Sequence, residues 1–166
     1  MSREEKICTF IEAFCLIPDG AKVGNSIKLM DFQKKFILDM FDNPDGTSRA
    51  YLSVARKKGK TVLIAAIVLA HLVGPEAKQN SQIISGARSR DKASLVFKLA
   101  EKMIRLSPNL SKMIRIIPSQ KTLISLICNV KYRAVSAEGG TAHGLSPRLT
   151  ILDEISQVRG PHDAFI

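Results

Sequence analysis

Cysteine is scarce, with only Cys8, Cys15 and Cys128 present. The count is odd and the spacing is not that of a metal site, so a disulfide framework is set aside. Cys8 and Cys15, seven apart, share one helix face, and all three read as small buried hydrophobes in a reducing cytoplasm. No apolar run is long enough to cross a bilayer. The longest, Val62 to Val73, is about a dozen residues broken by His71, against the roughly 20 that a spanning helix needs. The opening Met-Ser-Arg-Glu-Glu-Lys carries acids and no apolar core before a cleavage site, which argues against a secretion signal. Repeats and low-complexity segments are absent. Acidic residues are scarce where basic ones are dense: from Arg49 to Ala137 there are 17 Lys or Arg but only Glu76, Asp91 and Glu101.

What is present fits one domain. The 166 residues can bury a core, and 45% hydrophobic content is ordinary for a globular chain. The net charge of +10, concentrated in the middle of the sequence, suggests a polyanion nearby, nucleotide or nucleic acid. A solvated basic surface is the plainer alternative.

Periodicity predicts a helix over 3–16, with Ile7, Phe10, Ile11, Phe14 and Cys15 on one face, and a second from a cap at Asp31 to about Phe41. Asn43-Pro44-Asp45-Gly46 reads as a turn and Ala50 to Val54 as a short buried strand. A helix from Lys60 to about Val73 is apolar nearly all round and is stopped by Gly74-Pro75. Ser81 to Gly86 reads as a strand, and Arg90 to Leu106 as a helix capped by Ser89 and ended by Pro108, with a brief helical turn from Asn109. Thr122 to Ile127 and Val130 to Ser136 form a predicted hairpin joined at Cys128-Asn129, and Leu149 to Leu152 a last strand after a Gly-rich loop. The alternation predicts an α/β fold: a mostly parallel sheet flanked by helices, with an antiparallel hairpin at one side.

Two segments carry chemistry. Val54-Ala-Arg-Lys-Lys-Gly-Lys-Thr61 lies between an apolar strand and a buried helix. Gly59, Lys60 and Thr61 match the end of a phosphate-binding (Walker A) loop, although Val54 stands where its first Gly would be. There Gly59 lets the backbone approach phosphates, Lys60 reaches the β/γ oxygens, and the Thr61 hydroxyl ligates magnesium. Arg56, Lys57 and Lys58 add more positive charge than two phosphates require; Arg56 is either an arginine finger in cis or a solvated or DNA-facing cation. The second segment is Leu149-Thr-Ile-Leu-Asp-Glu154, an apolar strand ending in two carboxylates (Walker B). Asp153 would hold magnesium through waters, and Glu154 would orient or deprotonate the attacking water. Standing alone, the pair reads as a strand cap at the surface.

Together these segments resemble the N-terminal ATPase domain of the tailed-bacteriophage terminase large subunits. The resemblance runs from about residue 29 to 156. It rests on Leu29-Met-Asp-Phe-Gln33, Ala55 to Thr61, Ile83 to Ala93, and His143-Gly-Leu-Ser-Pro147 leading into Leu152-Asp-Glu154. Loops of this family lack the first Gly and carry an Arg, so Val54 and Arg56 agree with it. The resemblance implies a P-loop NTPase of the additional-strand catalytic-Glu type, with ATP and Mg2+ as cofactors and Gln33 on the adenine edge. It implies ATP hydrolysis coupled to pumping double-stranded DNA into a procapsid in the host cytoplasm. The implied partners are a portal protein, a terminase small subunit and, in a homo-oligomeric ring, a neighbour's arginine, for which Arg133, Arg148 and Arg159 are candidates. The expected organisation is one truncated ATPase domain over 1–166, with 1–28 an N-terminal helix and lead-in, and the family's C-terminal nuclease and coupling strand absent. His71, His143, His162 and Glu138 read as structural or loop residues. The competing readings are a superfamily-2-like helicase fragment, disfavoured by Val54 and by Ile155-Ser156 after the carboxylates, and a non-catalytic nucleotide- or DNA-binding remnant.

Overall fold

The computed structural model describes residues 2–42, 60–87, 90–136 and 149–152, without the side chains of 90–93. The expected strand over 50–54, the loop residues 56–59, the cap at Ser89, the Gly-rich loop and everything after Leu152 lie outside the described residues.

Helix α1 (Arg3–Phe14) starts with a capping box: Ser2 and Glu5 each accept from the other's backbone amide. The Asp42 carboxylate accepts from the Arg3 and Glu4 amides at 3.2 and 2.6 Å, neutralising the positive helix end. Ile7, Cys8, Phe10 and Ile11 form the buried stripe, whereas Phe14 is exposed. Burial, with a hydrogen bond to Glu4, pushes the Cys8 thiol up to about 12, and burial alone does the same to Cys15. Both therefore stay protonated hydrophobes, as their sequence setting suggests.

Helix α2 (Asp31–Phe41) buries Gln33 and Ile37. Its N-cap is Met30 and not Asp31, which is already helical. Gln33 closes this helix start from the other side: its Oε1 accepts from the Met30 N–H at 2.9 Å. Helix α3 (Lys60–Leu72) buries Leu63 and every residue from Ala65 to Leu72. At its end the Gly74 amide donates to the Ala70 carbonyl. A Cβ at Gly74 would lie 2.8 Å from the Ala70 backbone, so only glycine permits this turn.

Strand β1 (Gln82–Ala87) is followed by α4 (Arg90–Leu106), whose buried stripe includes Val96, Phe97, Ala100, Met103 and Ile104. Ser107 caps the short α5 (Pro108–Met113), with proline at the first helical position, where no amide is needed. Then come β2 (Ile114–Ile117), β3 (Thr122–Ser125), β4 (Lys131–Ser136) and β5 (Leu149–Leu152).

The strands form one sheet in the order β2-β3-β4-β1-β5. β1 is parallel to β4 and β5, while β2–β3 and β3–β4 are antiparallel. The sheet is thus mixed, not mostly parallel. The difference comes from β2, which the sequence does not announce: α5 runs straight into Ile-Arg-Ile-Ile with no Gly or Asn between. The expected hairpin forms, but β3 stops at Ser125 because Leu126–Cys128 turn and Asn129 takes φ 53.

α3 and α4 pack against each other, and α4 against β1 and β4. Ile83, Ile114, Leu123 and Tyr132 join them in the core. Beneath α4, the Tyr132 and Ser85 hydroxyls pair at 2.5 Å, satisfying two polar groups that burial would otherwise penalise. His71 is buried, its Nδ1 2.8 Å from the Ile67 carbonyl and its ring against Phe41, a structural role as expected.

Arg3 ties the helical layer together. Its guanidinium forms a two-point pair with buried Glu76 (both contacts 2.8 Å), donates to the Phe41 carbonyl and lies over the Phe41 ring. Arg3→Ala should lower unfolding free energy by about 1–3 kcal/mol, since Glu76 stays buried but the lost cation is half exposed. Arg3→Lys should recover less than half of that, because an ammonium cannot make the fork. Urea melts of the two variants measure both.

Candidate functional site

The parallel strands β4, β1 and β5 end together, at Ser136, Ala87 and Leu152, on one edge of the sheet. In open α/β sheets this is the edge where ligands bind, because helix N-termini gather there and point amides outward. α4 starts at that edge, three positions after β1 ends. β5 is locked beside β1 with Ile83 opposite Leu149 and Gly86 opposite Leu152. Asp153 and Glu154 come next in the chain and lie outside the described residues.

α3 opens with Lys60 and Thr61, both half-buried. Residues 73–81 fold on themselves in turns, with Glu76 N–H donating to the Ala70 carbonyl, Ala77 N–H to Gly74 and Ser81 N–H to Lys78, before β1 begins. The Asn80 amide bonds the Cys128 carbonyl at the far end of the sheet. Turns thus join the end of α3 to the start of β1, and Lys60 and Thr61 stand in the first turn of α3. Arg56, Lys57, Lys58 and Gly59 precede that turn, outside the described residues.

Gln33 is 6% exposed. Its Oε1 is held by the Met30 amide, while its side-chain NH2 has no hydrogen-bond partner among the described residues. Held this way, the carboxamide can offer a donor to an incoming acceptor. α1 packs on both α2, which bears Gln33, and α3. Of the three arginines proposed to act on a neighbour, Arg133 is exposed on β4; Arg148 and Arg159 lie outside the described residues. No cluster of three His, Cys, Asp or Glu that could hold a metal occurs among the described residues, so Thr61 is the one expected metal ligand that is described. The sequence counts Arg115 and Lys131 only within a basic excess, because the strand that aligns them, β2, is not visible there.

The chain is similar to known proteins. The family model for the terminase large subunit, ATPase domain, matches residues 31–162. The chain is 60% identical, over all of its 166 residues, to the terminase large subunit of Enterobacteria phage HK97, and covers 33% of that protein. The crystal structure of the HK97 bacteriophage large terminase superposes with a TM-score of 0.91 at 59% identity, covering 99% of this chain and 34% of that one. The chain thus spans about a third of the length of these relatives.

Gln33→Leu should cost about 1–2 kcal/mol by leaving the Met30 amide uncapped. Equilibrium denaturation should show a lower midpoint with an unchanged slope.

Proposed function

The chain belongs to the terminase large subunit ATPase family, and on that premise we propose that it hydrolyses ATP to drive double-stranded DNA into a procapsid. Lys60 and the amides opening α3 take the β- and γ-phosphates, with Lys57, Lys58 and Gly59 lining the loop. Arg56 lies against the transferring phosphoryl group. Thr61 and Asp153 would hold a magnesium ion, which would supply positive charge to the phosphate oxygens. Glu154 orients the attacking water and accepts its proton. Gln33 donates its unpartnered NH2 to the adenine edge. One observation carries the reading: the family match over residues 31–162 encloses every one of these positions.

The additional-strand P-loop architecture, the ring, the arginine supplied by a neighbour, the portal and small-subunit partners and the host cytoplasm belong to the same proposal. Among the described residues no helix is long and apolar enough to cross a membrane. The close identity to a terminase favours this reading over a helicase fragment.

Lys60→Ala should abolish the magnesium-dependent thermal stabilisation by ATP; an unchanged shift would overturn the phosphate-loop assignment. Glu154→Gln should keep that shift and lower turnover by about 10²–10⁴-fold, the usual range for a general base. Turnover equal to wild type would remove Glu154 from the mechanism. If wild type binds ATP without turnover, the same pair is compared in the full-length subunit.

A further inference from the structure

The antiparallel wing of the sheet carries a second feature. Residues paired across strands share a face, as do alternate residues along one strand. Arg115 pairs with Ile124 and Ile124 with Lys131. One step along, Ile117 pairs with Thr122 and Thr122 with Arg133. These two rows put Arg115, Lys131 and Arg133 on one face, opposite the one where Ile114, Leu123 and Tyr132 meet α3 and α4. All three cations are exposed; half-buried Ile124 lies between Arg115 and Lys131, half-buried Ile117 is two along from Arg115, and buried Thr122 lies between Ile117 and Arg133. The rows continue into Gln82, Ile84 and Thr150 on β1 and β5, so this face holds no acid among the described residues.

The cations on this face differ from the paired ones on the helices in standing together, with no acid beside them among the described residues. Arg3, Lys34, Lys35, Lys102 and Arg105 each pair with a carboxylate on the helical side. Arg115, Lys131 and Arg133 have no such partner among the described residues. Strand spacing separates Arg115 from Lys131 by about 10 Å, and strand rise separates Lys131 from Arg133 by about 7 Å. Their fields overlap within roughly one Debye length at physiological salt. Three mutually repelling cations on a rigid sheet are relieved by an anion that is itself extended.

We propose that this face, bearing Arg115, Lys131 and Arg133, is a contact surface for the phosphate backbone of double-stranded DNA. The identity of the polyanion rests on the function proposed above; the surface itself rests on register and charge. Contact is through phosphates and independent of base sequence.

The test is fluorescence anisotropy of the whole chain with a mixed-sequence 20-base-pair duplex, across a salt series. Neutralising the set (Arg115→Gln, Lys131→Gln, Arg133→Gln) should weaken binding at least tenfold at low salt. It should also flatten the plot of log affinity against log salt by about 2–3, at roughly 0.9 per phosphate contact. Lys131→Gln alone, the mildest change, should flatten it by about 1 and covers the case in which the triple variant does not fold. Lys34→Gln with Lys35→Gln on α2 should leave the slope unchanged. A slope unaltered by Lys131→Gln and by the triple variant, or no duplex binding by wild type at low salt, overturns the surface. The thermal shift with magnesium and ATP is read in the same proteins. If that shift is missing while the slope still falls, the ATPase reading fails and the surface stands; a normal shift with an unaltered slope means the reverse.

Discussion

The burial of α3 is the constraint on which the rest depends. A helix with apolar side chains on nearly every side has no solvent face, so it must be enclosed by α1, α4 and the sheet at once. Fully burying each Leu, Ile or Val contributes about 1.5–3 kcal/mol, and Ala65, Ala66 and Ala70 let neighbouring elements close in without voids. Such a helix cannot slide or rotate without opening cavities. Its first turn, Lys60 and Thr61, is therefore held in place by the packing of residues that have no chemistry of their own. A phosphate-gripping turn needs that rigidity, because the alignment of amides and ammonium with the ligand decides how much the positive helix end contributes.

The N-terminal helix precedes the span matched by the family model, yet it is not an appendage. Asp42, at the end of α2, caps α1; Arg3, at the start of α1, holds Glu76 just past α3. One short segment thus joins the ends of the two helices that bear Gln33 and Lys60. The hydrogen bond to Glu76 is the main reason the Arg3 guanidinium holds its proton even more firmly than usual. Strain at either helix would be felt at the other through this junction.

Legibility followed the physics of each element. α3 and α4 could be read to within a residue or two because long periodic or all-apolar segments bounded by Gly or Pro leave few alternatives. β5 was legible for its purity, four residues ending at two carboxylates. β2 was not: four residues entering directly from a helix give neither period nor punctuation, and pairing with β3, a tertiary event, decides the matter. The polarity of the sheet was misjudged with it. Met30 was passed over as a cap because its side chain cannot cap; the bond comes from Gln33, a residue the sequence assigns to a ligand. Of the candidate site, Gln33, Lys60 and Thr61 fall among the described residues, and each lies in the first turn of a helix, as the motif spacing implies.

In the adenine role proposed for it, Gln33 would serve two ends through its two atoms, linking fold to function. The carbonyl oxygen is committed to the start of α2, so the carboxamide cannot flip, and the NH2 is left buried without an acceptor. An unmet buried donor costs on the order of 1–3 kcal/mol, and a ligand that supplies an acceptor recovers that amount on binding. A base bearing a ring nitrogen at that point gains affinity with no further ordering of the side chain, because the cap has already paid the entropy. The same capping bond that helps α2 fold therefore prepares a recognition group, and a substitution that spares the oxygen but removes the NH2 should separate the two roles.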